Sequence, residues 1–562
     1  MRLAGLIVKN YKIIGDIPYE IRIDEIVVLI GQNNAGKSTI LDAYESFASS
    51  GKELAKTYFH NEDISKPIEI TGIFDSITAD DEDTIGKKWK HNDLNYGECI
   101  KLRWIWTLPE KKATKQSFNP ETNIFEEGGM GGWDTLIQSR IPQPIRIKPT
   151  ESVETTQTKI VTLLKTIVKD RLKADSSKTK AAIDEIEKLA QTIFSESKTA
   201  FDDIANRITK NVSNIFPGTK IELIPQSKDA IDEKIVGAES FLKVGTDHTY
   251  NSPLMQQGTG IQRALLWSAL SVMSDVSDGK KKTKQTGEAT RILLIDEPEA
   301  FLHPPTIRET RESLYDFALQ NPDWQVLATT HSPVFIDLSK DHTTIIRVDA
   351  TSPTQRYVST DKISFEVDER TRLQMIRASN PMVNEFFFYE NIILVEGPTE
   401  QIAIHHIAKE LDLNVHVINC FGKANITLFA RILNQFKVPY IVIHDSDTPK
   451  IKRKEKYIQS AMWTINERIR QSIDFSLNSN LYVQVPNFEG EFLNEELSNG
   501  KVDRVIELLS DKTSSEYKLL FDQYTKILKR ETLVFQNSET KFNEKISKYK
   551  LENKLENNSL WN

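Results

Sequence analysis

Cysteine is nearly absent: Cys99 and Cys420 are the only two in 562 residues. Two thiols are too few for a disulfide framework or a thiolate zinc site. No run of residues approaches the roughly 18 apolar positions of a membrane span. The opening segment, MRLAGLIVKN, leads directly into strand-like sequence without a secretory cleavage pattern. A cytoplasmic protein without membrane association is therefore expected. A basic excess is also missing. The net charge of −8 does not advertise a nucleic-acid partner, although local patches matter more than the sum. A carboxylate-rich metal site would itself lower the formal charge. The length calls for two or three domains.

Two basic clusters stand against this acidic background, Lys280–Lys284 (KKKTK) and Lys450–Lys456 (KIKRKEK). A solvated loop is the simple reading of each. The second carries more weight because it directly follows Asp445 and Asp447, where it would hold a phosphate backbone beside those acids.

Leu3–Val8 and Ile21–Ile30 read as strands, and Ser38 onward has helical periodicity. Further strands are expected at Ile68–Phe74, Ile100–Leu108 and Ile221–Ile224, with a polar loop over Lys111–Gly132. From Glu154 to Asn214, apolar residues fall at helical spacing on both sides of a polar break, Ala174–Thr179. This predicts a helical hairpin, either an ordinary packed pair or a dimerisation arm. Arg291–Asp296, Gln325–Thr329 and Thr344–Val348 have the apolar character of buried parallel strands. A second alternation of strands and helices starts at Asn391 and runs to Ile443, and the chain is helical and Lys/Glu-rich beyond Lys501.

The segment GQNNAGKST, Gly31–Thr39, is a complete phosphate-binding loop between a strand and a helix. Its backbone N–H groups, from Asn33 and Asn34 through Gly36 to Thr39, suit the phosphates of ATP. Lys37 suits the β and γ oxygens, and Ser38 a magnesium ion. ILLIDEPEAFLHP, Ile292–Pro304, is an apolar strand ending in two acids. Asp296 fits the magnesium shell and Glu297 the polarisation of an attacking water, because strand ends of an α/β sheet face the ligand crevice. His331 closes the neighbouring strand in LATTHSPVFI and is assigned to sensing the γ-phosphate.

These motifs resemble ATPases of the ABC class, in the branch of recombination and chromosome-structure proteins. The resemblance implies head-to-head dimers with two ATP molecules at the interface. QQGTGIQRAL, Gln256–Leu265, stands where that class keeps its signature loop. Its wording departs from the usual Leu-Ser-Gly-Gly-Gln, but Gly258 and Gly260 retain N–H groups for a phosphate. The departure favours ATP as a conformational switch.

LVEGPTE, Leu394–Glu400, and IHDSD, Ile443–Asp447, place carboxylates at the ends of two further apolar strands. If those strands are adjacent and parallel, Glu396 approaches Asp445 and Asp447. Crowded carboxylates repel one another, and magnesium or manganese relieves that cost in an all-oxygen site. Two such ions suit phosphodiester chemistry.

This pair of motifs resembles a Toprim domain. No tyrosine nucleophile or DNA gate of a topoisomerase is evident, and a primase does not normally carry this ATPase. An ABC-type ATPase followed by a Toprim domain resembles the OLD (overcoming lysogenisation defect) family, a group that includes the Gabija defence nuclease. The implied fold is α/β: an ATPase domain over residues 1–385 with a helical arm at 154–214, then a Toprim domain over 388–562. The family implies metal ligation by Glu396, Glu400, Asp445 and Asp447, with a further acid after the next strand. Glu489 is favoured for that role and Glu491 is the alternative. It also implies a late lysine that stabilises developing charge, for which Lys541 is chosen over Lys545. Glu297, His331, Glu396, Asp445, Asp447 and Lys541 thus form the catalytic expectation.

The implied function is an ATP-regulated, metal-dependent DNA endonuclease or nickase acting against phage. The expected partners are DNA, a second copy or a tetramer, and a protein from a defence operon. The rival reading is a DNA-binding or partner-trapping ATPase with an inactive Toprim domain.

Overall fold

The computed structural model describes residues 1–128, 140–149, 186–224, 241–269, 290–336, 343–348, 356–359 and 381–562, apart from short breaks within these stretches. The chain divides into two compact units. The first is residues 1–337 with 342–344 and 348–355; the second is 338–341, 345–347 and 356–562.

Among the described residues the first unit has two large sheets and a small antiparallel one of Thr219–Ile224, Phe241–Thr246 and Ser252–Pro253. The first large sheet is antiparallel, running Tyr19–Arg22, Arg2–Lys9, Ile68–Asp75, Gly97–Trp106, Thr114–Asn119 and Ile124–Glu127. The expected strand over Ile21–Ile30 is two strands, one in each sheet. The expected loop over Lys111–Gly132 contains the last two strands of the antiparallel sheet. Its polar residues disguised them: Ser117 is buried and its hydroxyl donates to the Gly128 carbonyl at 3.1 Å, and the Asn119 amide donates to Glu126 at 2.7 Å.

The second large sheet carries the phosphate loop. Its parallel strands are β1 (Ile26–Ile30), β2 (Gln143–Ile147), β3 (Arg291–Asp296) and β4 (Trp324–Thr329), arranged β1-β4-β3-β2. Both faces are covered, so β1 and β4 are buried at every residue. That explains their unbroken apolar sequence. Register places Asp296 opposite Thr329 and Ile295 opposite Ile147.

Gly31 leaves β1 with φ 142°, and Gly36 caps helix α1 (Lys37–Ala48) with φ 102°. Helix α2 (Ile186–Ile215) buries Phe201, Ile204, Ala205, Ile208 and Val212 on one stripe and packs against the strand Thr219–Ile224. It is the second member of the expected helical hairpin. Of the first member, isolated helical residues up to the buried Val161 are described; its remainder, the break at 174–179 and the basic run Lys280–Lys284 lie outside the described residues. Helix α3 (Pro304–Gln320) follows β3.

The second unit has a parallel sheet of β5 (Ile392–Val395), β6 (His416–Asn419), β7 (Tyr440–Asp445) and a fourth strand, Asn480–Gln484, in the order β6-β5-β7-fourth. A two-stranded hairpin, β8 (Lys450–Arg453) and β9 (Lys456–Gln459), intervenes in sequence, so the fourth strand is β10. Helices α4 (Pro398–Glu410) and α5 (Ile426–Gln435) make the crossovers. Farther along the chain come α6 (Ala461–Ser472), α7 (Phe488–Phe492), α8 (Lys501–Ser510), α9 (Ser515–Leu528) and α10 (Glu539–Glu552). Ile393, Val395, Ile441 and Ile443 of the sheet share one core with Ile404 and Ile407 of α4, Leu508 of α8, and Leu520 and Tyr524 of α9. Among the described residues no helix is long and apolar enough to cross a membrane.

A Cβ at Gly31 would lie 2.3 Å from the Val348 carbonyl oxygen, in a backbone conformation that L residues rarely adopt. Gly31→Ala is therefore expected to destabilise the chain by about 2 kcal/mol or more. Urea unfolding followed by circular dichroism measures this, and an unchanged midpoint would refute the packing argument.

Candidate active site

In the first unit, the chain enters α1 through Asn33 and Asn34, both exposed, with Asn34 in the left-handed region at φ 61°. Lys37 is buried and its ammonium donates to the Gly31 carbonyl at 3.0 Å. Burial lowers its pKa to about 8, against the upward pull of Glu297, Glu299 and Asp296. Thr39 is buried behind the loop.

Asp296, buried at the end of β3, accepts from the Ser38 and Thr329 hydroxyls, each at 3.0 Å. The Arg146 guanidinium, from β2, bridges Asp296 and Asp42. Glu297 follows with φ 47°, an unusual conformation for a non-glycine residue, and its N–H donates to the Thr329 carbonyl at 3.1 Å. That turn brings its carboxylate to 3.7 Å from His331 Nε2. Burial and nearby Lys37 lower the His331 pKa, with Glu297 opposing. The His331 N–H also donates to Glu299 at 2.7 Å, and burial raises the Glu299 carboxyl above its usual range.

Ser38, Asp296, Glu297 and His331 are thus brought to one set of strand ends, beside Lys37. Gly258 and Gly260 open a helical turn in which the Gly258 carbonyl accepts from Ile261 and Gln262 N–H at 3.1 and 3.3 Å.

In the second unit, β5 and β7 are adjacent and parallel, pairing Val395 with Ile443. Glu396 and Asp445 consequently leave the same edge. Gly397 turns the chain into α4, where Glu400 is buried and its carboxylate accepts from the Gly397 N–H at 3.2 Å. Asp445 accepts from the Phe488 N–H at 3.1 Å. The Gln484 amide nitrogen, oriented toward the acids, donates to Asp445 and Glu400 at 3.0 and 3.3 Å, while its oxygen accepts from the buried Tyr524 hydroxyl at 3.0 Å. Glu489, on α7, is buried.

Crowding shows in the acidities. Burial and the charges of Glu396 and Glu489 raise Glu400 to about 7. Burial, then Glu400, Glu396, Asp447 and Glu489, raise Asp445 well above the carboxylate range. Burial also raises Glu396, with Asp447 adding to the effect and Lys423 opposing it. Two like charges about 5 Å apart repel by roughly 3 kcal/mol at an effective dielectric of 20. Asp447 has φ 58° and its N–H donates to the Pro486 carbonyl at 2.8 Å.

Lys423, fully buried after β6, donates to Asp447 at 2.6 Å, and Lys501 of α8 donates to Glu489 at 2.9 Å. In this arrangement, among the described residues, no three acids, histidines or cysteines converge closely enough to hold an ion. The donor set nonetheless fits a hard divalent cation. It is all oxygen, three of its members, Glu396, Glu400 and Asp445, have raised pKa values, and Glu396 Oε2 is buried without a hydrogen-bond partner.

Comparison with known proteins finds a domain match in each unit. The AAA ATPase domain family matches residues 1–129 and 133–336, more than half of the chain. The chain belongs to that family. Within its second unit, residues 387–447 match the Toprim domain of overcoming lysogenization defect protein-like sequences. The protein is therefore a P-loop ATPase domain followed by a Toprim domain of the OLD-like type. Old nuclease of Escherichia phage P2 is 24% identical over 80% of this chain and 77% of its own length. OLD nuclease of Thermus scotoductus is 26% identical over 38% of this chain and 41% of its own. Endonuclease GajA of Bacillus cereus VD045 is 22% identical over 81% and 76%.

Three residues of these domains were not found by sequence reasoning. In the ATPase domain, Arg146 lies 150 positions from its partner Asp296 and belongs to no motif. In the Toprim domain, Lys423 and Lys501 lie in ordinary surroundings; only the GK pair after β6 hinted at the first. Lys541, the expected late lysine, sits exposed at the start of α10. Lys545, one turn on, donates to the Val483 carbonyl at 2.7 Å and to Glu491 at 3.0 Å. Glu491 also accepts from the Val485 N–H at 2.7 Å and from the Tyr482 hydroxyl.

Two outcomes are expected. A lysine pKa near 8 in the free ATPase domain rises when phosphate binds. ATP affinity should then fall as pH climbs through 8, by up to about tenfold per unit. Isothermal titration across pH 7–10 tests this, and the slope should vanish in Lys37→Met. In the Toprim domain, Lys423→Met removes a buried cation from Asp447. Manganese affinity, read by electron paramagnetic resonance, should rise roughly tenfold; unchanged affinity would place Lys423 outside the ion's field.

Proposed function

We propose that this chain is an ATP-regulated, divalent-metal-dependent DNA endonuclease or nickase of the OLD type, acting in defence against phage. The observation that carries the reading is the group of five acids, Glu396, Glu400, Asp445, Asp447 and Glu489. They gather at one edge of the Toprim sheet, where their crowding raises Glu396, Glu400 and Asp445, in the same chain as a P-loop ATPase domain. The printed names of the relatives, Old nuclease and endonuclease, point the same way.

Glu396, Glu400, Asp445, Asp447 and Glu489 would hold magnesium or manganese, which when bound supplies Lewis-acid polarisation of a phosphodiester and an activated water. The protein's own contribution is orientation. Gln484 and the Phe488 N–H fix Asp445, the Gly397 N–H fixes Glu400, and Lys423 fixes Asp447. Lys501 and Lys423 are placed to meet a phosphate once their carboxylates turn to a cation. Lys541 is not supported as the late lysine by its exposed position, whereas Lys545 contributes by holding Glu491.

In the ATPase domain, Lys37, Ser38 and Asp296 would hold ATP with magnesium, Glu297 would orient water, and His331 would meet the γ-phosphate. Dimerisation across the loop of Gly258 and Gly260, or a tetramer built through the helical arm, is the assembly we infer.

Supercoiled plasmid incubated with manganese or magnesium, with and without ATP, tests the reading beside Glu396→Ala. Metal-dependent nicking or linearisation should disappear in the variant, and the ATP lanes give the sign of regulation. Cleavage that survives Glu396→Ala, or a wild-type protein inert under every condition, would overturn it.

A further inference from the structure

Three residues beyond Asp447, the chain forms the hairpin of β8 and β9. Residues 451–459 are all exposed, and among the described residues the two strands pair only with each other. A lone two-stranded hairpin is marginally stable in water. This one leaves Ile451, Tyr457 and Ile458 at 42, 46 and 40% exposure. Its base is fixed: the Lys450 N–H donates to the Leu560 carbonyl at 3.0 Å, the Ser460 N–H to Pro449 at 2.9 Å, and the Thr448 hydroxyl to Lys450 at 2.8 Å. Its tip is a tight turn with Lys454 and Glu455 at φ 46° and 66°.

The register sorts the side chains. Ile451 faces Ile458 and Arg453 faces Lys456 on one side, while Lys452 faces Tyr457 on the other. Lys450, Lys452, Arg453, Lys454 and Lys456 stand against the single acid Glu455. Glu455 pairs with Lys452 at 3.7 Å with both side chains mostly exposed, which neutralises little. In a chain of net charge −8, this is a concentrated positive ribbon with an apolar surface, rooted beside the carboxylate edge.

We propose that the β8–β9 hairpin is a duplex-DNA-binding ribbon that enters the major groove and delivers the adjacent backbone to the Toprim carboxylates. B-DNA's major groove admits a two-stranded ribbon. The lysines and Arg453 meet the flanking phosphates, and Ile451 and Ile458, which share one face of the ribbon, meet the apolar base edges, thymine methyl groups included. The inference rests on the nuclease reading and adds the form of nucleic acid and the element that grips it.

The test uses the full chain carrying Glu396→Ala, so that cleavage does not interfere, and fluorescence anisotropy on a labelled 30-base-pair duplex and on its single strand. Lys452→Glu, Arg453→Glu and Lys454→Glu are introduced together. All three positions are exposed, so folding should be preserved. Duplex affinity is expected to fall about 30-fold or more at 0.1 M salt, and the slope of log affinity against log salt should lose roughly three units. Ile451→Ala with Ile458→Ala should weaken duplex more than single strand. Unchanged duplex affinity overturns the proposal. So does equal loss on both forms, which would leave only general electrostatics, or a change of oligomeric state at unchanged duplex affinity, which would make the face a contact between copies. Binding is read without cleavage. A wild-type chain that cuts plasmid while the reversed hairpin binds normally defeats the ribbon alone. Hairpin-dependent binding by a chain that never cuts defeats the nuclease reading alone.

Discussion

A buried acid at the end of a parallel strand is costly unless something positive stays beside it, and both domains are organised around that cost. In the ATPase domain, Asp296 is enclosed beneath the phosphate loop and is met by the Arg146 guanidinium and two hydroxyls. In the Toprim domain, five acids meet at one sheet edge and two lysines answer them. The strands supply the acids because parallel ends converge. Residues from other parts of the chain supply the cations. The fold positions each site largely by deciding which cation reaches which acid.

The two domains differ in how complete that neutralisation is. Asp296 has all the partners its two oxygens need, so the ATPase site is preorganised around a fixed acid. The Toprim acids remain under-neutralised. Glu400 is held near pH 7, and Asp445 and Glu396 are raised as well. Glu396 Oε2, buried without a hydrogen-bond partner, keeps its lone pairs available to a cation, whereas both oxygens of Asp296 are already engaged. Both centres also place an acid in left-handed backbone, Glu297 and Asp447, where the turn rather than the strand aims the side chain.

Much of this was legible in the chain. Gly31, Gly36, Lys37 and Ser38 are local chemistry, and local chemistry survives in sequence. The apolar strands before Asp296, Glu396 and Asp445 carry their acids at the exit, so adjacency of two strands sufficed to bring the acids together. What was not legible came from long-range pairing. Arg146 reaches Asp296 only because β2 lies beside β3. Lys501 reaches Glu489 because a helix after the sheet folds back on α7. Glu489 and Glu491, two positions apart on one short helix, diverge: the first faces the acids and Lys501, the second Tyr482, Val485 and Lys545. The edge strands Thr114–Asn119 and Ile124–Glu127 were hidden by buried polar residues that satisfy one another, which hydrophobic periodicity does not register.

The lysines of the Toprim domain set up a competition for its acids. Lys423 holds Asp447 and Lys501 holds Glu489, which leaves Glu396, Glu400 and Asp445 without a cationic partner of their own. The core of Ile393, Ile441, Leu520 and Tyr524 packs beside that edge through apolar contacts. A cation that enlists Asp447 or Glu489 must displace a lysine to do so, and each ion pair is thereby a threshold on the concentration at which the centre fills.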